Sequence, residues 1–389
     1  MSWEIKKLSE CCASIADGDH QAPPKADSGI PFVTISNINS TNQFDFTNTM
    51  FVPQAYYDGL DSKRKAQKGD VLYSVVGSFG IPVYMRETVP FVFQRHIAIL
   101  RPNDAILPQF LYYTMLSRDF YMMADAAALG AAQRTVSLTA LRNMKIAVPP
   151  MDVQKKIVDI LSAYDELIEN NQKQIKLLEE ASQRLYKEWF VDLRFPGHET
   201  TPITDGIPEG WKRAKLIDIV KVQYGYAFFG SLFNANGKGV PIVRIRNIPA
   251  GTTADYTTEE ADTQYIVHNG DILVGMDGEF HINSWSGPDA YLVQRTCSFR
   301  PNNPNMKGYL LQAIYEPIKY FESTVVGATV AHLGKKHVDT ITVLTGPKEL
   351  YVPFQQYFER RQLLLNQNRL LAESRDRLLP KLMNGEIEV

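Results

Sequence analysis

Cysteine is scarce in this sequence: Cys11, Cys12 and Cys297 are its only three, with no CxxC spacing, so no disulfide framework holds the chain together. Long apolar runs are missing as well. No stretch approaches 18 residues, which leaves no expected membrane-spanning helix. The opening "MSWEIKKLSE" lacks the apolar core of a signal segment, so a cytoplasmic protein with no membrane partner is the expectation. An excess of one charge is lacking too: 41 Lys and Arg stand against 43 Asp and Glu, a net charge of −2. That balance excludes holding nucleic acid by bulk electrostatics, so any DNA contact rests on local basic groups or on partner chains. The seven histidines form no HExxH pair, and "NANGKGV" lacks the first glycine spacing and the Ser/Thr of a phosphate-cradling loop.

What the chain does have is itself, twice. "SWEIKKLSECCASI" from Ser2 matches "GWKRAKLIDIVKV" from Gly210, and "IPFVTISNIN" from Ile30 matches "VPIVRIRNIP" from Val240. "KGDVLYSVVGSFG" matches "NGDILVGMDGEFH", and "FQRHIAILRPN" matches "VQRTCSFRPN". The offset drifts from 208 residues at Trp3/Trp211 to 193 at Leu177/Leu370, so loops differ in length while the framework repeats. Short β-branched and aromatic runs ("PFVTI", "DVLYSVV", "FVF", "HIAIL", "PIVRI", "DILVGM", "CSFR") read as strands. "PQFLYYTMLS" and "MKGYLLQAIYEPIKYF" read as helices packed on them, giving an α+β unit in each half.

Each globular half is followed by a long helix. Leu161, Tyr164, Ile168, Asn171, Ile175, Leu178, Ser182, Leu185 and Trp189 follow alternating steps of three and four, a coiled-coil seam with two polar interruptions. In the second copy Tyr357, Leu364, Leu371 and Leu378 recur every seven residues, while Arg361, Asn368 and Arg375 make the intervening seam positions polar. Such a helix needs a specific partner surface, and Asn171 and Asn368 are suited to fixing register. Two similar helices of roughly 35–40 residues, ~55 Å at ~1.5 Å rise per residue, can pack antiparallel about a pseudo-twofold axis and act as a spacer. The boundaries read as 1–150 for the first domain, 151–192 for the central helix, 193–209 for a linker, 210–348 for the second domain and 349–389 for the C-terminal helix.

With these pieces assembled, the chain resembles the specificity (S) subunit of Type I restriction-modification systems over essentially its whole length. The resemblance rests on Pro208-Glu209-Gly210-Trp211 opening the second half, on the "GD-I/V-L" strands, on "VPPMDVQKKI" entering the central helix, and above all on the endings "RLYKEWFVDLRFPG" and "RLLPKLMNGEIEV". The second helix departs from the pattern at "TGPKELYVPFQQYF", which blurs its start. By that resemblance, two target-recognition domains each read half of a bipartite, asymmetric double-stranded DNA site, and the helices set the gap between the halves. Two-headed readers dock on half-sites about one turn, ~34 Å, apart. The resemblance further implies two methyltransferase (M) subunits carrying S-adenosylmethionine, and restriction (R) subunits using ATP and Mg, with no cofactor or catalysis in this chain. Consistently, the Asp/Asn-Pro-Pro-aromatic tetrapeptide of an adenine methyltransferase is missing; the Pro-Pro pairs are "APPK" and "VPPM".

Base reading needs Arg for guanine, Asn or Gln for adenine, and Asp or Glu for cytosine. Candidates in the first half are Ser36, Asn37 and Asn39, Ser78, then Gln133, Arg134 and Thr135; in the second they are Arg244, Arg246 and Asn247, then Asp277 and Glu279, then Lys335 and Lys336. Substituting Arg134 by Ala is expected to weaken methylation directed by the first half. Gln94-Arg95 and Gln294-Arg295, shared by both halves, read as framework or phosphate positioning through Arg95 and Arg295. Lys63, Arg64 and Lys65, near Lys68, form the densest basic cluster, suited to phosphate or to a solvated face. Two rivals stay open: a coiled-coil adaptor that binds only proteins, and a metal-dependent DNA enzyme using Asp277, Glu279 and His281.

Overall fold

A computed structural model describes residues 3–39, 41–130, 133–324 and 331–389. The chain forms two compact units, Met1–Glu166 with Ala372–Val389, and Leu167–Leu371. Each unit therefore takes one globular half together with part of both long helices.

In the first unit an antiparallel four-stranded sheet runs in the order Cys12–Asp17, Ile97–Pro102, Val71–Ser74, Pro82–Tyr84. A three-stranded sheet sets Ile30–Val33 between Met50–Val52, antiparallel, and Val92–Phe93, parallel. Glu4–Lys7 pairs with Lys145–Val148. The second unit repeats the plan: Val220–Tyr224, Thr296–Pro301, Ile272–Gly275 and Ile282–Ser284 in the same order, Val240–Val243 parallel to Ala290–Leu292, and Lys212–Lys215 on Thr342–Thr345. Val71–Ser74 and Ile272–Gly275 are buried at every position, as central strands covered on both faces should be. Pro108–Leu116 and Arg118–Ala127 pack on the first sheet, and Lys307–Ala313 and Tyr315–Thr324 on the second.

Two expectations shift locally. "PFVTI" and "PIVRI" stop being strands at Val33 and Val243, because Ile35–Asn37 and Ile245–Asn247 wind into 3-10 turns. The stretch read as a linker contains a hairpin, Ile203–Thr204 on Ile207–Pro208, whose two turn residues Asp205 and Gly206 both take positive φ (51° and 72°), as the tightest hairpin turns require.

The central helix spans Met151–Tyr186 and ends in a π-helical turn, Lys187–Val191. That turn buries Phe190 among Trp211, Tyr309, Tyr351 and Phe354, with ring centroids 4.7–6.3 Å away. The C-terminal helix spans Val352–Met383 and is preceded by a 3-10 turn, Lys348–Tyr351. Gly385, at φ 75°, ends it beside the Trp3 ring.

Along the seam, Leu161, Ile168, Ile175 and Leu364 are buried. Tyr164, Leu178, Leu185, Trp189, Tyr357, Leu371 and Leu378 are half-buried. The polar seam positions of the C-terminal helix find partners. In the second unit Asn171 Nδ2 donates to Asn368 Oδ1 at 2.9 Å, and Arg361 reaches Glu179 (2.6 Å), Ser284 Oγ (2.7 Å) and Asn283 Oδ1 (2.9 Å). The order of these pairs makes the helices antiparallel. In the first unit Arg375 pairs with Asp165 at 2.6 Å, and Asp165 also accepts from the Tyr113 hydroxyl at 2.7 Å. Burial, reinforced by the Asp165 carboxylate, pushes the Tyr113 phenol far above its usual range, so it stays a donor.

Candidate nucleic-acid interface

Three constructions recur in both units and define a shared framework. At Gly18 and at Gly225 an added Cβ would lie 2.1 Å from a carbonyl oxygen, of Phe93 and of Val293 respectively, so only glycine lets these strand ends meet. Asn37 Oδ1 accepts from Thr34 N at 2.9 Å, and Asn247 Oδ1 from Arg244 N at 2.8 Å. Asp70 is bound by Arg101 and Asp271 by Arg300, each through Nε and Nη2 at 2.7–2.9 Å. Asn37 and Asn247, read as base contacts, thus hold the same turn in both units. Asn39 is likewise occupied: its Oδ1 accepts from Thr41 N, Thr41 Oγ1 and Gln43 N.

The shared "QR" dipeptide is a different matter. Backbone hydrogen bonds set the true register. Arg95 N donates to Asp19 O as Gln294 N donates to Tyr226 O, and Val75 N reaches His96 O as Met276 N reaches Arg295 O. Arg95 therefore corresponds to Gln294, and His96 to Arg295. One residue fewer in the second unit makes identical letters fall on different positions. The sharing from which framework or phosphate positioning was inferred for Arg95 and Arg295 is one of letters and not of position: they are places where the units differ.

In the first unit these positions open onto a cleft of about 290 Å³ lined by Asp17, His20, Arg95, His96, Gln133 and Thr135, among others. It lies at the small end of ligand-pocket sizes, suited to a base edge. The Arg95 side chain is exposed, and its guanidinium makes no hydrogen bond or ion pair among the described residues. Burial, with the Arg95 charge beside it, lowers the His96 pKa, which favours the neutral imidazole. Arg134 is bound to the Asp125 carboxylate and carbonyl and lies 5.5 Å over the Phe79 ring. Ser36, Ser78 and Gln133 are exposed, and Thr135 is half-buried. Of the basic cluster, Arg64 faces Asp17 and Asp19 at 3.9 and 3.6 Å, while Lys65 donates to Asp58 O and sits over Tyr57. Lys63 and Lys68 stay exposed.

In the second unit Arg246 grips Asp255 through two hydrogen bonds (3.2 and 2.6 Å), Asn247 Nδ2 joins them at 3.2 Å, and Arg244 lies over Phe233. Burial works against ionisation of Asp255, yet the hydrogen bonds from Arg246 and Asn247 hold its carboxyl below the usual range. Lys335 and Lys336 are exposed on the short helix Lys335–Val338. Asp277 does not converge with Glu279 and His281, as a metal site there would need. Its carboxylate faces His332 Nδ1 at 2.5 Å and Arg295 Nε at 3.4 Å, and Glu279 pairs with His281 at 3.4 Å. Among the described residues no group of three or more His, Cys, Asp or Glu side chains could hold a metal ion. Also among them, no helix is long and apolar enough to cross a membrane.

Sequence reasoning missed Asp17, His20, His96 and His332. His332 lies 55 residues from Asp277, and only strand pairing brings them together. A signal did exist. "LGAAQRT" (Leu129 to Thr135) aligns with "VGATVAH" (Val326 to His332), which places His332 opposite Thr135. The two also share a backbone bridge, Val76 with Thr135 and Asp277 with His332.

A duplicated framework carrying two dissimilar polar surfaces defines a class of protein that recognises two different things with one scaffold. The chain belongs to the Type I restriction modification DNA specificity domain family, whose model matches residues 2–180 and again 208–368. It is 27% identical to the Type I restriction enzyme MjaIX specificity subunit of Methanocaldococcus jannaschii, over 74% of this chain and 71% of that protein. It is 22% identical to the HindI specificity subunit of Haemophilus influenzae, over 92% of this chain and 95% of that one. The crystal structure of the S subunit of a Type I restriction-modification system from M. genitalium shares the fold, with TM-score 0.56 and 15% identity over 98% of this chain and 96% of that one.

Proposed function

We propose that this specificity subunit reads a bipartite, asymmetric double-stranded DNA site, one half with each unit, and that the chemistry resides in partner subunits. The observation that carries the reading is the pairing of a repeated framework with diverging surfaces. Gly18/Gly225, Asn37/Asn247 and Asp70–Arg101/Asp271–Arg300 are kept, while Val76, His96 and Thr135 give way to Asp277, Arg295 and His332. Conserved support with altered donors and acceptors is what reading two different half-sites demands.

Two methyltransferase subunits, holding S-adenosylmethionine and methylating adenine, and restriction subunits using ATP and Mg complete the assembly in this reading. The long helices set the gap between half-sites and carry the docking surface. Leu167, Leu177, Leu363 and Leu370, all in the second unit, stand 48–64% exposed outside the seam and suit an apolar partner helix. A net charge of −2 fits a chain whose partners supply most of the phosphate contacts.

The test is methylome sequencing in a methylation-free host expressing the M subunit alone or with this chain. A bipartite adenine-methylated motif found only with the chain is the expected result. A motif already present with M alone, or none despite a stable complex, refutes the proposal.

A further inference from the structure

The Asp277–Arg295–His332 cluster has no counterpart in the first unit, where Val76, His96 and Thr135 occupy the corresponding positions. We infer that Arg295, aligned by the Asp277 carboxylate beside His332, is the guanine reader of the second unit and fixes a G·C pair in its half-site. The inference rests on the proposed reading of DNA by this unit and names what it recognises.

The geometry is that of a held fork. Asp277 Oδ2 lies 3.4 Å from Arg295 Nε, and Asp277 Oδ1 lies 2.5 Å from His332 Nδ1. One carboxylate therefore orients two side chains that stay reachable, at 50% exposure for Arg295 and 43% for His332. With Nε beside Asp277 and one Nη1 proton toward His332, Nη2 and the second Nη1 proton remain for a ligand, and guanine O6 and N7 match that two-pronged donation. Arg295 Nη1 lies 3.3 Å from the same His332 nitrogen, which packs the guanidinium against the imidazole edge. The backbone is committed as well. Arg295 holds φ 72°, a left-handed conformation uncommon for a side-chain-bearing residue, secured by the Met276 N to Arg295 O hydrogen bond at 2.9 Å.

The test uses the complete complex of M subunits with this chain, comparing methylation rates on sites that carry each base pair in turn across the second half-site. The wild type is expected to require a G·C pair at one position there, preferring it by about 5- to 150-fold. Arg295→Ala, Arg295→Lys and the isosteric Asp277→Asn should each relax that position, leaving the first half-site as selective as before. Retained discrimination in Arg295→Lys, or an unchanged second half-site in both Arg295→Ala and Asp277→Asn, overturns the inference while leaving the specificity role intact. A wild-type complex that methylates without sequence preference would instead remove the function reading itself. Undiminished selectivity at the other positions of the second half-site reports that the second unit of each variant has folded.

Discussion

Replacing Asp70 with Ala should destabilise the first unit and leave the second untouched. Asp70 is 1% exposed and accepts Arg101 Nε at 2.9 Å, Arg101 Nη2 at 2.8 Å and Gln67 N at 2.9 Å. Arg101 Nη2 also donates to Lys65 O at 2.9 Å, so the guanidinium cannot simply swing into water. Removing the carboxylate strands a cation whose side chain is only 20% exposed, together with the Gln67 amide. Breaking such a pair costs about 3–5 kcal/mol; the residual exposure of Arg101 favours the lower end, ~3 kcal/mol. For units of roughly 200 residues this lowers Tm by about 6–12 °C. Asp271→Ala should do the same to the second unit, where Arg300 Nε and Nη2 bind Asp271 at 2.9 and 2.7 Å. Calorimetry of the full chain, with hydrogen exchange to locate the weakened unit, separates the two cases. A shift below ~1 °C for either variant, or one substitution weakening both units alike, would refute the reasoning.

Three further outcomes are expected. Gly18→Ala and Gly225→Ala should each destabilise by about 1–3 kcal/mol in chemical denaturation, because the new methyl meets a carbonyl oxygen at 2.1 Å. Asn368→Leu should cost about 1–3 kcal/mol by leaving the 7%-exposed Asn171 without its acceptor, and adding Asn171→Leu should recover most of the loss; a double variant worse than the single would count against the pair. Arg95→Ala should weaken DNA binding of the assembled complex by roughly 1–3 kcal/mol through the first half-site while leaving Tm unchanged.

The repeat was legible because it rests on strand-length motifs whose burial pattern the fold preserves. Both long helices and their seam periodicity were readable for the same reason. Register at single-residue resolution was not. Identical "QR" letters hid a one-residue offset that only the backbone hydrogen bonds of Arg95 and Gln294 expose. Arg64 of the basic cluster looked free because its partners, Asp17 and Asp19, lie far away in sequence, at and just beyond the end of the Cys12–Asp17 strand. Asn37 and Asn247 looked like readers because a side-chain amide that caps a turn has the same letter as one that reads adenine. The seam arginines were the converse. Arg361 and Arg375 marked a helix in need of a specific partner surface, and Glu179 and Asp165 on the facing helix supply the opposite charge.

The most direct measurement of the central claim is a unit exchange. Residues 210–348 would be replaced by the corresponding segment of another specificity subunit, and the motif methylated by the resulting complex read by methylome sequencing. The account predicts that one half of the bipartite motif changes and the other is retained. A motif altered in both halves, or in neither, would contradict the assignment of one half-site to each unit.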